Sequence, residues 1–486
     1  MRILAVAKAL GLLLVLFSLS LIPPALLGFR SGEPVGELAL EFGAPAAFSA
    51  ALGAALALVG RRGDELRDRE AFVTVALAWL VVSGIGSLPY LASGALPDPV
   101  DAFFESASGF TTTGATVVPR PEALPRSVLL WRAETQLIGG MGIIVLSMVV
   151  LSRLVGGSTQ LFRAEAFALT SFRIRPTMRQ IAGTLWTIYL GFVALETLLL
   201  WLAGMDPFEA VCHSFSTLST GGFSTRSAGL AAFNSSPLIG AVVTLFMVIG
   251  GTNFVLHYQF LSGKARSALR NPELLGYLIL IASASAVTAV MLAIQSGDYS
   301  TYRELGGHAT FQVVSILTTT GFTTADYAAW PATVQLLLLF LMLVGACSGS
   351  TTGALKVIRF IVLLKMVKRE LYKAIHPRAV IPLSIGGRPI PTEVMRNVVA
   401  YFFVYVTAFF AIALGLGLAG MGLVEALSTS ASSLGNVGPA LGAYGPTASY
   451  APLHAAGKLL MCFAMWMGRL EIYPALLLLS PSAYKH

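Results

Sequence analysis

Long apolar stretches alternate with short polar segments along almost the whole chain. Each stretch is about 20 residues long or longer except the second, and about 20 apolar residues are needed for a helix to cross the hydrocarbon core of a bilayer. The stretches lie at 9–29, 44–60, 70–92, 128–152, 181–204, 236–261, 274–295, 332–364, 398–419 and 453–479. This pattern predicts an all-α polytopic membrane protein with ten spans.

A shorter motif recurs four times between these stretches. It consists of an acidic residue or His, then Ala, and then a Ser six residues before a Gly. The copies are Asp101-Ala102 with Ser108 and Gly114, Glu209-Ala210 with Ser216 and Gly222, His308-Ala309 with Ser315 and Gly321, and Glu425-Ala426 with Ser432 and Gly438. The apolar segment in each copy is too short to cross a membrane, which is typical of a re-entrant helix. Asp98-Pro99 and Asp206-Pro207 predict where the first two such helices begin.

The four copies predict four pseudo-symmetric units around one pore, each consisting of a helix, a pore helix, a filter loop and a second helix. A two-helix prelude precedes the four units. The expected boundaries are 1–60 for the prelude, then 70–155, 180–265, 273–375 and 393–480 for the units. A single such Gly is more simply interpreted as a helix break or packing contact. Four in register favour a pore, because irregular backbone at membrane depth must be buried or line a wet cavity.

The loops around the four glycines are the candidate ion-binding filter. The filter residues are Thr111, Thr112, Thr113 and Gly114; Ser219, Thr220, Gly221 and Gly222; Thr318, Thr319, Thr320 and Gly321; and Gly435, Asn436, Val437 and Gly438. None is charged, whereas divalent-cation filters tend to use carboxylate rings and anion pores use Arg or Lys. Main-chain carbonyl oxygens suit a weakly hydrated monovalent cation, and potassium is therefore the expected ion. Asn436 and Pro439 make the fourth loop the most divergent.

The composition and the distribution of charge support a membrane location. The chain of 486 residues is 56% hydrophobic and 12% charged, whereas soluble domains have about 25% charged residues. With a cytoplasmic N-terminus, most Lys and Arg fall on the cytoplasmic side, within 61–69, 153–179, 264–270 and 356–396. The net charge of +8 thus reflects topology and predicts no nucleic-acid partner.

The N-terminal segment has a second interpretation. Arg2 and Lys8 followed by an apolar run are also compatible with a signal peptide, but Pro23-Pro24 and the lack of a clear cleavage site favour a retained helix. The three cysteines are far apart in sequence, and the six His residues have no ligand spacing. Neither a disulfide framework nor a transition-metal site is therefore expected.

A run of small and polar residues interrupts the apolar stretch 332–364. It consists of Gly345, Ala346, Cys347, Ser348, Gly349, Ser350, Thr351, Thr352 and Gly353. Such a run is a poor lipid-facing helix, and it predicts either a kink for packing or a mobile gating loop below the filter. Arg469 lies deep in the last stretch, where a charge is costly. It is expected either to pair with an acid such as Glu471 or to form a barrier to cations below the filter.

Several of these segments resemble one known family. The motifs are ESASGFTTTGAT at 105–116, GGFST at 221–225, GACSGSTTG at 345–353 followed by LKVIR at 355–359, and GRLE at 468–471. The chain resembles the TrkH/TrkG potassium-uptake subunits of the bacterial Trk system, within the Trk/Ktr/HKT superfamily. The resemblance covers nearly the whole chain.

The resemblance implies a homodimer in the bacterial inner membrane, with one potassium pore per protomer. It also implies an intramembrane gating loop, a hallmark Arg that matches Arg469, and a cytosolic nucleotide-binding ring, TrkA, so that nucleotide acts only through the partner. Ser in place of the first filter Gly is associated with sodium transport in plant members, and Gly114 is present here.

Other classes of function remain as alternatives. A sodium-selective or proton-coupled cation symporter of the same superfamily is the closest one. An unrelated secondary transporter is disfavoured because such proteins usually show inverted repeats with paired broken helices. An enzyme is disfavoured because the chain has no HExxH motif, nucleophile elbow or carboxylate pair.

Overall fold

The computed structural model describes residues 2–62, 66, 68–154, 178–295, 302–379 and 381–479. These residues are predominantly helical, and Ser384–Ile385 and Arg388–Pro389 form a two-stranded antiparallel pair. The fold class predicted from the sequence is confirmed. Position 1, where the predicted prelude begins, and positions 155 and 480, where two of the predicted units end, lie outside the described residues. So does 155–177 within the basic segment 153–179. The unit boundaries therefore remain predictions.

The N-terminal prelude is a pair of helical spans that cross closely. Helix α1 (Ile3–Ser18) continues through a 3-10 turn into α2 (Ile22–Arg30), and α3 (Val35–Leu38) continues through a π-helical turn into α4 (Ala44–Val59). The second span thus starts at Val35 and is longer than the predicted 44–60. A Cβ atom on Gly11 in α1 would lie 2.5 Å from the carbonyl oxygen of Gly53 in α4, so small residues permit this contact between the helices.

The next part of the chain contains the first two copies of the motif. Its helices are α5 (Asp68–Gly86), α6 (Leu88–Ala92), α7 (Pro99–Phe110), α8 (Arg126–Leu154), α9 (Met178–Leu202), α10 (Pro207–Leu218), α11 (Pro237–Gly250) and α12 (Phe254–Leu261). The short helices α7 and α10 have 12 residues each. The side chain of Asp98 accepts a hydrogen bond from the amide of Val100, and that of Asp206 accepts one from Phe208. Both helix starts predicted from the Asp-Pro pairs are confirmed.

The remaining helices contain the third and fourth copies. They are α13 (Ala265–Leu269), α14 (Pro272–Gln295), α15 (Tyr302–Leu317), α16 (Ala332–Val344), α17 (Val357–Ile375), α18 (Thr392–Leu418), α19 (Leu423–Gly435), α20 (Ala455–Arg469) and α21 (Tyr473–Leu479). The short helices of these copies are α15 and α19. Helix α17 is strongly amphipathic, with Lys365, Lys368 and Lys373 beside exposed apolar residues such as Leu364 and Leu371.

Three of the ten predicted spans are not continuous helices. The stretch 236–261 bends by 101° between α11 and α12, and 332–364 breaks between α16 and α17. Within the stretch 453–479, helix α20 ends at Arg469 and α21 begins at Tyr473. Between them, Glu471 and Ile472 have positive φ angles, which a right-handed helix does not accommodate. Among the described residues, six single helices are long and apolar enough to cross a membrane. Length and hydropathy predicted where these stretches lie but not where they break.

The short helices lie inside the protein and the long ones surround them. Most residues of α7 and α19 are buried, including polar ones such as Ser106 and Ser430. Long helices carry exposed leucines, for example Leu198 in α9 and Leu414 in α18. This arrangement places the four Gly-centred loops at the centre of the molecule, where irregular backbone can be satisfied by other protein groups.

Candidate functional site

The four loops close onto their short helices by the same hydrogen bond. In each loop the amide of the residue before the motif Gly donates to the carbonyl of the motif Ser. The pairs are Thr113 to Ser108 at 2.9 Å, Gly221 to Ser216 at 2.8 Å, Thr320 to Ser315 at 2.9 Å, and Val437 to Ser432 at 2.8 Å. These bonds satisfy a helix-end carbonyl in every unit. The constant six-residue spacing from Ser to Gly therefore has a structural cause.

The backbone conformation of the loops also repeats. The residue two positions before each motif Gly has a left-handed φ, as does the Gly itself. The angles are 50° at Thr112, 54° at Thr220, 55° at Thr319 and 56° at Asn436, and 79°, 77°, 79° and 105° at Gly114, Gly222, Gly321 and Gly438. Three of the four preceding residues are Thr, for which a positive φ is unfavourable. Four matched outliers indicate a conformation imposed by the surrounding structure.

The four motif glycines form a closed ring with the neighbouring loops. A Cβ atom on Gly114 would lie 2.0 Å from the carbonyl oxygen of Gly221, and one on Gly222 would lie 1.9 Å from that of Thr320. The same holds for Gly321 against Val437 at 2.0 Å and for Gly438 against Thr113 at 2.5 Å. Each Gly therefore abuts the carbonyl that precedes the Gly of the next unit. The units follow one another in chain order around one axis.

Side-chain hydrogen bonds link the loops to their helices and to one another. The hydroxyl of Thr111 donates to the carbonyl of Ala107 at 2.6 Å and lies 2.8 Å from that of Thr113. Thr318 and Thr320 repeat this hydroxyl contact at 2.8 Å. In the fourth loop the side-chain Nδ2 of Asn436 donates to the Thr113 hydroxyl at 3.0 Å. The Asn that breaks the sequence pattern thus joins the last unit to the first.

A cavity of about 170 Å³ lies against one side of the ring. All four motif glycines line it, together with residues that follow them, among them Phe223, Ser224 and Tyr450. The C-terminal ends of the short helices lead into the loops. Their partial negative charge favours a cation at the ring. The sixteen residues predicted as the filter therefore lie together, and among them only neutral groups are available to a bound ion.

Sequence reasoning missed Gln136, a residue that holds the second loop. Its side-chain amide donates to the carbonyl of Gly221 at 2.7 Å and its oxygen accepts from the amide of Phe223 at 3.1 Å. Gln136 and Arg132 are one helical turn apart in the apolar helix α8. Two polar side chains on one face of an apolar membrane helix are a signal that could have indicated a contact with the filter loops.

The predicted gating residues form a buried loop that connects α16 to α17. The loop starts at Gly345 with φ 74° and is buried along nearly its whole length. The hydroxyl of Thr351 donates to the carbonyl of Leu218, at the end of α10, at 3.0 Å. The amide of Gly353 donates to the hydroxyl of Thr319 in the third filter loop at 2.9 Å. Within the segment 345–353, Thr351 and Gly353 thus contact the filter loops or the helix end that leads into one. The amides of Cys347 and Ser348 donate instead to the Gly251 carbonyl and to the Glu273 carboxylate.

Arg469 holds this loop from the opposite side. Its side chain is 1% exposed, and its guanidinium donates to the carbonyl of Thr351 at 2.6 Å and to that of Gly139 at 3.0 Å. Glu471 pairs instead with Arg359 at 2.6 Å. The alternative that pairs Arg469 with Glu471 is therefore wrong, because each of the two side chains bonds to other partners. A cavity of only about 10 Å³ remains between the loop and Arg469.

The described residues show no group of His, Cys, Asp and Glu side chains able to hold a metal ion. Cys212, Cys347 and Cys462 are free and buried, as small apolar side chains would be. The groups that the ring itself offers to an ion are the main-chain carbonyl oxygens of Thr113, Gly221, Thr320 and Val437.

Comparison with known proteins identifies relatives of the whole chain. Residues 41–485 match the family described as TrkH, cation transport protein. The Trk system potassium uptake protein TrkH of Halomonas elongata is 38% identical over 484 residues and covers 99% of each chain. That of Escherichia coli K12 is 36% identical over 485 residues, again with 99% of each chain covered. The crystal structure of the potassium transporter TrkH from Vibrio parahaemolyticus has a TM-score of 0.91 at 36% identity and covers all of both chains. The chain is a multi-pass membrane protein that belongs to the TrkH family of cation transport proteins.

Proposed function

We propose that this protein is the potassium-selective, ion-translocating subunit of a potassium-uptake system. The closed ring of four loops carries the proposal, because each Gly abuts a carbonyl of the next loop and no charged side chain is among the sixteen residues. Carbonyl oxygens arranged in this way replace the hydration shell of a weakly hydrated monovalent cation. The related proteins from Halomonas elongata and Escherichia coli are named as potassium uptake proteins.

The proposed setting is a homodimer in the bacterial inner membrane with a cytoplasmic N-terminus. The distribution of Lys and Arg supports this orientation. The related proteins are named as parts of a Trk system, which supports a partner protein. We assign that role to a cytosolic, TrkA-like nucleotide-binding ring. The basic helix α17 follows the buried loop directly and would transmit the ring's movement to it.

The proposed gate consists of the loop 345–353 and Arg469. The loop contacts the C-terminal end of α10 and also the third filter loop. Arg469 donates to the carbonyl of Thr351 within the loop. In this position the loop blocks the path below the ring, and the guanidinium adds repulsion to a passing cation. Movement of α17 would withdraw the loop.

We expect Gly353→Ala to raise rubidium-86 uptake into liposomes, measured without a partner protein, by about fivefold. A Cβ atom on Gly353 would lie 2.1 Å from the carbonyl oxygen of Gly435, so the loop and this filter carbonyl must move apart. Overpacking costs about 1–3 kcal/mol, and about 1 kcal/mol corresponds to a fivefold change. The control is Gly240→Ala in α11, where nothing lies within 4 Å. Equal or lower uptake for Gly353→Ala would contradict the gating role.

The experiment that tests the proposed function is competition for rubidium-86 uptake by the purified chain in liposomes. We expect potassium to block uptake at concentrations at least about tenfold lower than sodium does, as neutral carbonyl rings discriminate between these ions. Equal competition by sodium would support a sodium-transporting relative instead. Uptake that requires an inward proton gradient and stops when the gradient is collapsed would support a proton-coupled symporter.

A further inference from the structure

One position in each unit connects the short helix to the chain that leaves the filter. It lies nine residues before the motif Gly and is occupied by Glu105, His213, Gln312 and Thr429. We call the residues two to four positions after each Gly the outgoing arm of the filter. The four units use four different side chains at this one structural position.

In the first three units this side chain contacts its own outgoing arm. The carboxylate of Glu105 accepts from the hydroxyl of Thr116 and from the amide of Val117, each at 2.9 Å. His213 Nε2 lies 3.1 Å from the hydroxyl of Ser224. The side-chain oxygen of Gln312, in the amide orientation that satisfies its hydrogen bonds, accepts from the amide of Thr324 at 2.8 Å and from that of Ala325 at 3.3 Å. The position therefore anchors the outgoing arm in these units, by a neutral group in two of them and by a carboxylate in the first.

The carboxylate of the first unit is paired with Arg132 of α8. Arg132 Nη2 lies 2.8 Å from Glu105 Oε1, and the two side chains are 2% and 0% exposed. Arg132 also donates to the hydroxyl of Thr116 at 3.2 Å and to the carbonyl of Ser224 at 3.1 Å. Its guanidinium carbon lies 4.3 Å from the centre of the Phe223 ring. One buried ion pair therefore contacts the outgoing arms of both the first and the second loop.

The geometry of this ion pair suits positioning more than general stabilisation. Replacement of a buried ion pair by apolar groups is often neutral for stability, so the pair is weak evidence for a stabilising role. Arg supplies several donors in one plane, whereas Lys is a single point charge. Only Arg can satisfy Glu105, Thr116 and the Ser224 carbonyl together. We propose that Glu105 and Arg132 are positioning residues that set the spacing of the first two filter loops and thereby the discrimination between potassium and sodium.

This inference rests on the proposed function, and its test uses the same uptake assay. The quantity measured is the ratio of the sodium and potassium concentrations that halve rubidium-86 uptake. We expect Arg132→Lys and Glu105→Gln to lower this ratio by about fivefold each, the effect of losing one buried hydrogen bond at the filter. Uptake at saturating rubidium should remain, because neither side chain lies among the sixteen filter residues.

The matched control is Arg226→Lys. Arg226 also pairs with a short-helix carboxylate, Glu209, at 2.6 Å, but its side chain is 49% exposed. We expect its ratio to equal that of the wild type. Size-exclusion chromatography shows whether Arg132→Lys folds. If it does not, the nearly isosteric variant Glu105→Gln tests the positioning role by the same ratio of sodium to potassium concentrations.

The outcomes separate the two proposals. An unchanged ratio in folded variants overturns the positioning role, whether or not the uptake rate falls. Substitution of a purely structural residue lowers the amount of active protein, but it does not change the ratio. A wild-type protein that does not discriminate between potassium and sodium overturns the proposed function and this inference with it. A discriminating wild type with equally discriminating variants overturns this inference alone.

Discussion

Gly114→Ser is expected to lower the selectivity for potassium over sodium by at least about tenfold, measured by competition for rubidium-86 uptake in liposomes. A Cβ atom at this position would lie 2.0 Å from the carbonyl oxygen of Gly221, so that oxygen must move. The left-handed φ of 79° adds strain of about 1–3 kcal/mol for a residue with a side chain. About 1.4 kcal/mol corresponds to a tenfold change in an equilibrium constant. Displacement of one ring oxygen at a cost in this range is therefore sufficient for the expected loss of selectivity.

The control for this prediction separates backbone strain from the contact with the ring. Gly94 precedes α7 with φ 69° and has nothing within 4 Å of its Cβ position. Gly94→Ser therefore introduces similar strain without moving a ring oxygen, and its selectivity should match that of the wild type.

The fourth unit gives a graded comparison, because a Cβ atom on Gly438 would lie 2.5 Å from the carbonyl oxygen of Thr113. Gly438→Ser should have a smaller effect, and equal selectivity in Gly114→Ser and wild type would exclude the ring as the filter.

Arg469→Met is expected to raise rubidium-86 uptake without a partner protein by about 100-fold. The side chain of Arg469 is buried and bonds to the Thr351 carbonyl of the proposed gating loop. In the proposed pore its charge would repel a cation that passes below the ring. Two unit charges about 6 Å apart in an effective dielectric of about 20 repel by about 3 kcal/mol, which corresponds to about 100-fold. Loss of the bond to the Thr351 carbonyl also frees the proposed gating loop. Initial uptake rates at equal protein density provide the measurement.

Arg469→Lys distinguishes the charge from the hydrogen bonds. Lys keeps the positive charge but cannot reproduce the two guanidinium bonds to Thr351 and Gly139. If repulsion dominates, uptake in Arg469→Lys stays near the wild-type rate. If the hydrogen bonds to the loop dominate, uptake in the Lys variant approaches that of Arg469→Met. Wild-type rates in both variants would refute any role of Arg469 in the barrier.

The four Gly-centred loops were predictable because their sequence pattern follows from short-range physics. The Ser-to-Gly spacing reflects one hydrogen bond within each loop, such as Thr113 to Ser108. Asp98 and Asp206 begin helices because their carboxylates cap free amides in the first turn. Residues a few positions apart determine these features, so their signal is present in the sequence itself.

The sequence alone therefore determined the membrane class, the position of the apolar stretches, the four motif copies and the charge-free composition of the candidate filter. The tertiary structure decided which groups meet: the order of the loops around the ring, the break between α11 and α12, and the partners of Arg132 and Arg469. Gly114 and Gly221 are more than 100 positions apart in the chain, and Arg469 and Gly139 more than 300. Hydropathy and helix capping report only local preferences. Contacts at such separations depend on how all the helices pack together, and no local pattern specifies that packing.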